Sequence, residues 1–244
     1  MNEYGTTTFI ITAAAGCLGA LAVIPYSLEI ASLRPGAESM QAIPLLPQIL
    51  QGVLMAVMVS GLGLLAAKAV ELPVWSPRTV LLAAALAGTA SAVVILGMEF
   101  LYFLPRLPSE FTGTEHHIAI WKRLLVTLYG GITEELIMRL CIMSGIVWLL
   151  RFVWHTPQGA PSTGVYWAAI ILVAVLFGLG HLPATRMITP LTPLVITRAI
   201  ILNGAAGILF GWLFWKHGLL AAITAHFSAD IILHVIAPLL TGKS

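Results

Sequence analysis

The chain has 244 residues, of which 59% are hydrophobic and 9% are charged. Soluble domains carry roughly 45–50% apolar and about 25% charged residues, so too few charged groups are present to cover a water-facing globule. A net charge of +2, with only two cysteines, Cys17 and Cys141, both inside apolar runs, excludes a nucleic-acid partner, a disulfide framework and a thiolate metal cluster. The expected fold is all-α: a polytopic transmembrane helix bundle whose solvent is the lipid bilayer.

A hydrocarbon core of about 30 Å requires about 20 consecutive apolar residues. The first such run, Thr8–Leu28, follows an N-terminal stretch that holds Glu3 and neither Lys nor Arg, so it reads as a helix and not as a signal peptide. The second, Pro47–Val70, is closed by Glu71-Leu72-Pro73. The third, Thr79–Phe103, contains Glu99, which is expected to pair with a helix-end arginine. A polar loop with His116 and His117 leads into the fourth, Arg123–Phe152, which carries Glu134, Glu135 and Arg139. The fifth, Val165–His181, ends on a histidine, and the sixth, Leu194–Trp215, contains Asn203. The seventh, Leu219–Leu240, carries His226, Asp230 and His234. About seven spans follow, in a range of six to eight, because the fourth run is long enough to tilt or to include an interfacial turn. Uninterrupted runs of this length argue against barrel strands, which alternate polarity over about 10 residues.

With seven spans the basic residues divide by side. Arg34, Arg106, Lys122, Arg123, Arg186, Arg198 and Lys243 fall on one side, and Lys68, Arg78, Arg151 and Lys216 on the other. The richer set is expected in the cytoplasm, which puts the N-terminus outside.

A charge at mid-bilayer costs roughly 2.5–3.5 kcal/mol on insertion scales, so each one points to function. These residues concentrate in the second half of the chain. Residues 1–118 therefore read as packing and enclosure, and residues 119–244 as the catalytic core. Glu134 lies about 16 Å along its helix from Arg123, and His226 about 12 Å in from Gly218, at 1.5 Å per residue. Asp230 and His234 follow His226 at i+4 and i+8, on one face. Because the fifth and seventh spans run antiparallel to the fourth, all three helices can present polar groups to one chamber.

Neighbouring residues of an α-helix point roughly 100° apart, so Glu134 and Glu135 are not expected to share an environment. Glu135 and Arg139 stand at i, i+4 and can neutralise each other. Glu134 lacks that partner, and an unpaired carboxylate in apolar surroundings suits general acid/base work. His234 and Glu99 read as structural residues. His217 and Lys216 read as an interfacial helix end.

Gly131-Ile132-Thr133-Glu134-Glu135-Leu136-Ile137-Met138-Arg139 has the form Glu-Glu-x-x-x-Arg. Phe177-Gly178-Leu179-Gly180-His181 has the form Phe-x-x-x-His, and His226-Phe227-Ser228-Ala229-Asp230 the form His-x-x-x-Asn/Asp. In this order, on three apolar helices, the motifs resemble the CPBP family, which includes type II CAAX prenyl endopeptidases and bacteriocin-processing or self-immunity proteins. The stretch from Gly207 to Trp212, followed by His217-Gly218, is also similar to that family's last core helices. The resemblance spans about residues 121–240 and implies an intramembrane endopeptidase. It implies that Glu134 and His181 activate a water molecule, while His226 and Asp230 stabilise the oxyanion and Glu135 and Arg139 give support. Asp230 departs from an Asn at its position: an ionised carboxylate only accepts hydrogen bonds, so its expected role is to orient His226. Glu134, His181, His226 and Asp230 are also acceptable zinc ligands. The reading carried forward needs no obligatory metal, with zinc as its alternative. The expected partner is a hydrophobic peptide or membrane-protein segment, prenylated or not, in a bacterial or archaeal cell membrane.

Other intramembrane proteases fail on sequence. His-Glu-x-x-His is absent, Asp230 is the only aspartate, and neither Ser60-Gly61 nor Ser144-Gly145 has the glycine of a Gly-x-Ser-Gly nucleophile. Two further readings stand beside the enzyme: a proton-coupled transporter using Glu, His and Asp as a relay, and a catalytically silent immunity or scaffold protein of the same fold.

Overall fold

In hydrocarbon every backbone N–H and C=O must find its partner within the protein, and long apolar runs achieve this as helices. The computed structural model describes residues 3–32, 44–107, 118–187 and 189–240. Among these residues it contains seven helical rods and no strand, apart from one isolated bridge between His155 and Pro161. The rods are α1 (Thr6–Ser32), α2 (Leu45–Ala69), α3 (Arg78–Arg106), α4 (Ile120 to Leu150), α5 (Thr163–Thr185), α6 (Pro193–His217) and α7 (Leu219–Leu240). Six of them are long and apolar enough to cross a membrane. The exception is α4, which carries Lys122, Arg123, Glu134, Glu135 and Arg139. The chain is thus a multi-pass helical bundle built of six apolar spans and one polar rod. Arg34, His116, His117 and Lys243 lie outside the described residues.

Several rods depart from a straight α-helix. At Val23, α1 breaks into Thr6–Ala22 and Ile24–Ser32, because Pro25 lacks an N–H and its ring crowds the preceding turn. The end of α3 passes through a π turn at Glu99–Phe103 and a 3-10 turn at Leu104–Arg106. Two π segments, Tyr129–Glu134 and Leu136–Met143, occupy the middle of α4, and α7 widens at Ile231–Ile236. Such wide turns concentrate where a helix must re-aim side chains. Three of the four fall on or beside the polar residues Glu134, Glu135, Arg139 and Asp230.

In packing, α5 lies against α6, α3 against α7, α1 against α2, and α2 against α4. Lipid is as apolar as leucine, so association depends on close backbone approach at small residues. Gly88 of α3 abuts the Ala225 carbonyl of α7. A Cβ added to Gly178 of α5 would lie 2.5 Å from Ile200 Cα of α6. The most apolar windows of α6 and α7 are each 44% buried, against 22% for α2 and α3, so the centre of the bundle belongs to the C-terminal helices.

Gly88→Ala drives a methyl into the Ala225 backbone and is expected to cost about 1–3 kcal/mol. Gly97→Ala, where an added Cβ meets nothing within 4 Å, should leave the fold intact. Thermal unfolding of the two variants in detergent checks the pair.

Candidate active site

One cavity of about 660 Å³ draws its walls from the C-terminal ends of α1, α3, α5 and α7 and from the N-terminal halves of α4 and α6. Those ends all lie on one side of an antiparallel bundle, as expected from the chain order. Glu134, His181, His226 and Asp230 line this cavity together. They come from α4, α5 and α7, so the juxtaposition is tertiary.

The centre of the site is His226, 5% exposed. Its Nδ1 donates to Glu135 Oε1 at 2.7 Å. The same oxygen is 3.0 Å from Arg139 Nη1, and both of these charged side chains are fully buried. Arg139 Nη2 donates to the Gly207 carbonyl of α6 at 3.2 Å. A side chain at 207 would lie 3.1 Å from Ala174 Cα and 3.6 Å from that guanidinium, so glycine leaves the space for both. The guanidinium carbon stands 5.1 Å and 5.6 Å from the ring centroids of Phe177 and Phe210, within cation–π range.

These two rings also hold the histidines. His226 stacks on Phe210, with centroids 4.6 Å apart at 22°, and meets Phe177 edge-on at 5.7 Å. Phe177 meets His181 edge-on at 4.8 Å, and its carbonyl accepts from His181 Nδ1 at 2.8 Å. A carbonyl can only accept, so Nδ1 carries the hydrogen and the lone pair of His181 sits on Nε2. The phenylalanine of the Phe-x-x-x-His motif therefore touches both histidines and the arginine.

Glu134 Oε2 lies 3.8 Å from His226 Nε2. The two adjacent glutamates thus address opposite edges of one imidazole, which corrects the expectation that they occupy separate environments. The cause is the π geometry of α4, in which successive residues are separated by less than the roughly 100° of an α-helix. The role expected of Asp230 also changes. Its Oδ1 is 3.6 Å from His226 Nε2, longer than a hydrogen bond, and the acceptor that orients His226 is Glu135. Glycine at 130 is required by this packing, since an added Cβ would collide with Asp230 Oδ2.

Three further features of the cavity were not assigned to the site from sequence. His234 lines the wall, with Nε2 3.9 Å from Asp230 Oδ1. Tyr129 lines it one turn before Glu134. Glu99 accepts from Arg198 Nε and Nη2 at 2.7 Å and 2.9 Å, and this expected ion pair joins α3 to α6 at the cavity edge. The i+4 stacking along α7 is the sequence signal that reaches His234; Tyr129 has none, because its placement depends on the π turn.

Among the described residues no three His, Cys, Asp or Glu side chains converge as metal ligands. His226 donates Nδ1–H to Glu135, which leaves its Nε2 facing the carboxylates of Asp230 and Glu134 at 3.6 Å and 3.8 Å.

Glu135→Ala removes the partner of both Arg139 and His226 and leaves a guanidinium uncompensated. A loss of about 3–5 kcal/mol is expected, read as a lowered unfolding midpoint or loss of a monodisperse peak in detergent. Glu134→Gln, at the partly exposed neighbour, should fold as the parent does.

Residues 116–232 match the family model described as type II CAAX prenyl endopeptidase Rce1-like. No curated protein and no solved structure matches the chain. The matched residues begin just before α4, end within α7 and contain Glu134, Glu135, Arg139, His181, His226 and Asp230. The matched stretch, a little under half of the chain, is thus similar to the Rce1-like type II CAAX prenyl endopeptidase family.

Proposed function

We propose that the protein is an intramembrane endopeptidase that hydrolyses a peptide bond of a hydrophobic substrate, such as a CAAX-type prenylated tail, admitted to the cavity. The observation that carries the reading is that one carboxylate and two imidazoles from three helices, Glu134, His181 and His226, line the same cavity. Amide hydrolysis requires an activated water, a donor for the developing oxyanion and a proton for the leaving amine.

Each need has a residue suited to it. Glu134 takes a proton from a water molecule held by the lone pair on His181 Nε2. The water oxygen attacks the carbonyl carbon, and the carbonyl electron pair moves onto oxygen. His226, with Nδ1 fixed by Glu135 and a second proton on Nε2, donates to that oxyanion. Glu134 then returns its proton to the amide nitrogen, the C–N bond breaks, and acid and amine products leave. Every step runs through side chains of this chain, and none through a metal. The cavity is lined by helix ends on the side richer in basic residues, which favours cleavage near the cytoplasmic face of the bacterial or archaeal membrane proposed here.

The test is cleavage of a prenylated C-terminal peptide and of a plain hydrophobic peptide by purified protein in detergent. Glu134→Gln, His181→Ala and His226→Ala should each lower turnover by about a hundredfold or more while remaining folded. Cleavage retained by Glu134→Gln removes the proposed base. A proton-coupled carrier or a silent scaffold would leave both peptides intact in the parent protein. Incubation with a chelator should leave the rate unchanged, and a chelator-dependent loss restored by zinc would overturn the metal-free route.

A further inference from the structure

A carboxylate beside a developing oxyanion opposes catalysis unless its charge is engaged elsewhere, because two anions then face each other in a low dielectric. Asp230 stands in that position. It is 6% exposed, one helical turn from His226, and its Oδ1 lies 3.6 Å from the same Nε2 that the proposed mechanism gives to the oxyanion. Its other oxygen, Oδ2, is packed against Gly130 of α4, which directs Oδ1 toward the imidazoles.

His226 cannot serve both anions well. Its Nδ1 is committed to Glu135, and the one remaining N–H can go either to the oxyanion or to Asp230. A further imidazole near Asp230 is His234, one turn further along α7, with Nε2 3.9 Å from Oδ1. The His234 side chain is 39% exposed and lines the cavity, so its ring has more room to turn toward Asp230 than a buried one. His226, by contrast, is clamped by Phe210, Phe177 and Glu135.

We infer that His234 is a positioning residue: it engages the Asp230 carboxylate and thereby leaves the His226 Nε2–H for the oxyanion. The inference rests on the hydrolase reading above and deepens it. It also gives a reason for a carboxylate at position 230, where an amide would donate directly.

The experiment is a double-mutant cycle on the full chain in detergent, using His234→Ala, Asp230→Asn and the double variant. It is read by peptide turnover and by thermal unfolding. His234→Ala is expected to lower kcat about tenfold with KM unchanged, and to lower the unfolding midpoint by removing one of the imidazoles that face a buried carboxylate. Whatever Asp230→Asn costs by itself, adding His234→Ala to it should change kcat by less than about twofold and leave the midpoint where it was. His234→Gln, whose amide N–H can reach Oδ1, should recover part of both losses. Equal kcat losses in the two backgrounds, or no loss in either, overturn the inference. The unfolding arm needs no substrate: additive midpoints remove the pairing even if no peptide is cleaved. Coupled midpoints without turnover in the parent protein would keep the pair and remove its positioning role together with the hydrolase reading.

Discussion

The structure depends on one oxygen atom. Glu135 Oε1 accepts from His226 Nδ1 at 2.7 Å and lies 3.0 Å from Arg139 Nη1, with all three side chains buried. Burying a carboxylate, a guanidinium and an imidazole in a lipid-facing bundle carries a large desolvation cost, which only close pairing offsets. Further contacts hold the group in place, although Glu135 Oε2 and Arg139 Nε are buried without a hydrogen-bond partner. Arg139 is tied to the Gly207 carbonyl of α6 and flanked by Phe177 of α5 and Phe210 of α6, and His226 arrives from α7. Four helices are therefore registered against one another by a single polar knot. Any shift of one turn in α4, α5, α6 or α7 would break it.

Close approach of the helices is the condition for that knot, and small residues provide it. Gly178 against Ile200 sets α5 on α6, and Gly207 against Ala174 repeats the contact about two turns away. The sequence numbers of these contacting pairs, 178 with 200 and 174 with 207, change in opposite senses, as antiparallel neighbours must. Extending the register places His181 of α5 level with about Thr197–Arg198 of α6. The Glu99–Arg198 ion pair, which ties α3 to α6, thus stands at the same depth as the candidate water-activating histidine.

Much of this was legible from the amino-acid sequence, and the rest was hidden for a physical reason. Long apolar runs dictate helices in lipid, so each rod could be located to within a few residues; the fifth run, expected to stop at His181, ends its main helix Thr163–Gly180 at that residue, with a short turn Leu182–Thr185 beyond it. The Glu135–Arg139 pair and a partner for Glu99 followed from i, i+4 spacing and from the cost of an unpaired charge. What failed was the angle between Glu134 and Glu135, because a periodicity argument assumes 3.6 residues per turn and α4 is π-wound at that point. The acceptor on His226 failed for a related reason. Asp230 is its neighbour on the same helix, but the hydrogen bond crosses to Glu135, 91 residues away in sequence, and only tertiary packing brings them together.

The cavity has two chemically different walls. One is polar and is drawn from α4, α5 and α7, within residues 116–232. The other is mainly apolar and is drawn from Val23 and Tyr26 of α1 and Ile95, Leu96 and Phe100 of α3, all outside the matched stretch. The polar wall is anchored by the Glu135 knot, since moving either His226 or Arg139 leaves a buried charge uncompensated. The apolar wall carries no such constraint: aliphatic and aromatic side chains exchange contacts with one another at little cost so long as volume is kept. Replacing apolar side chains on α1 or α3 by others of similar volume therefore reshapes the space opposite Glu134 without disturbing the groups that would act on a bound peptide. The N-terminal helices thus do more than enclose the C-terminal half, because they supply apolar lining to its cavity.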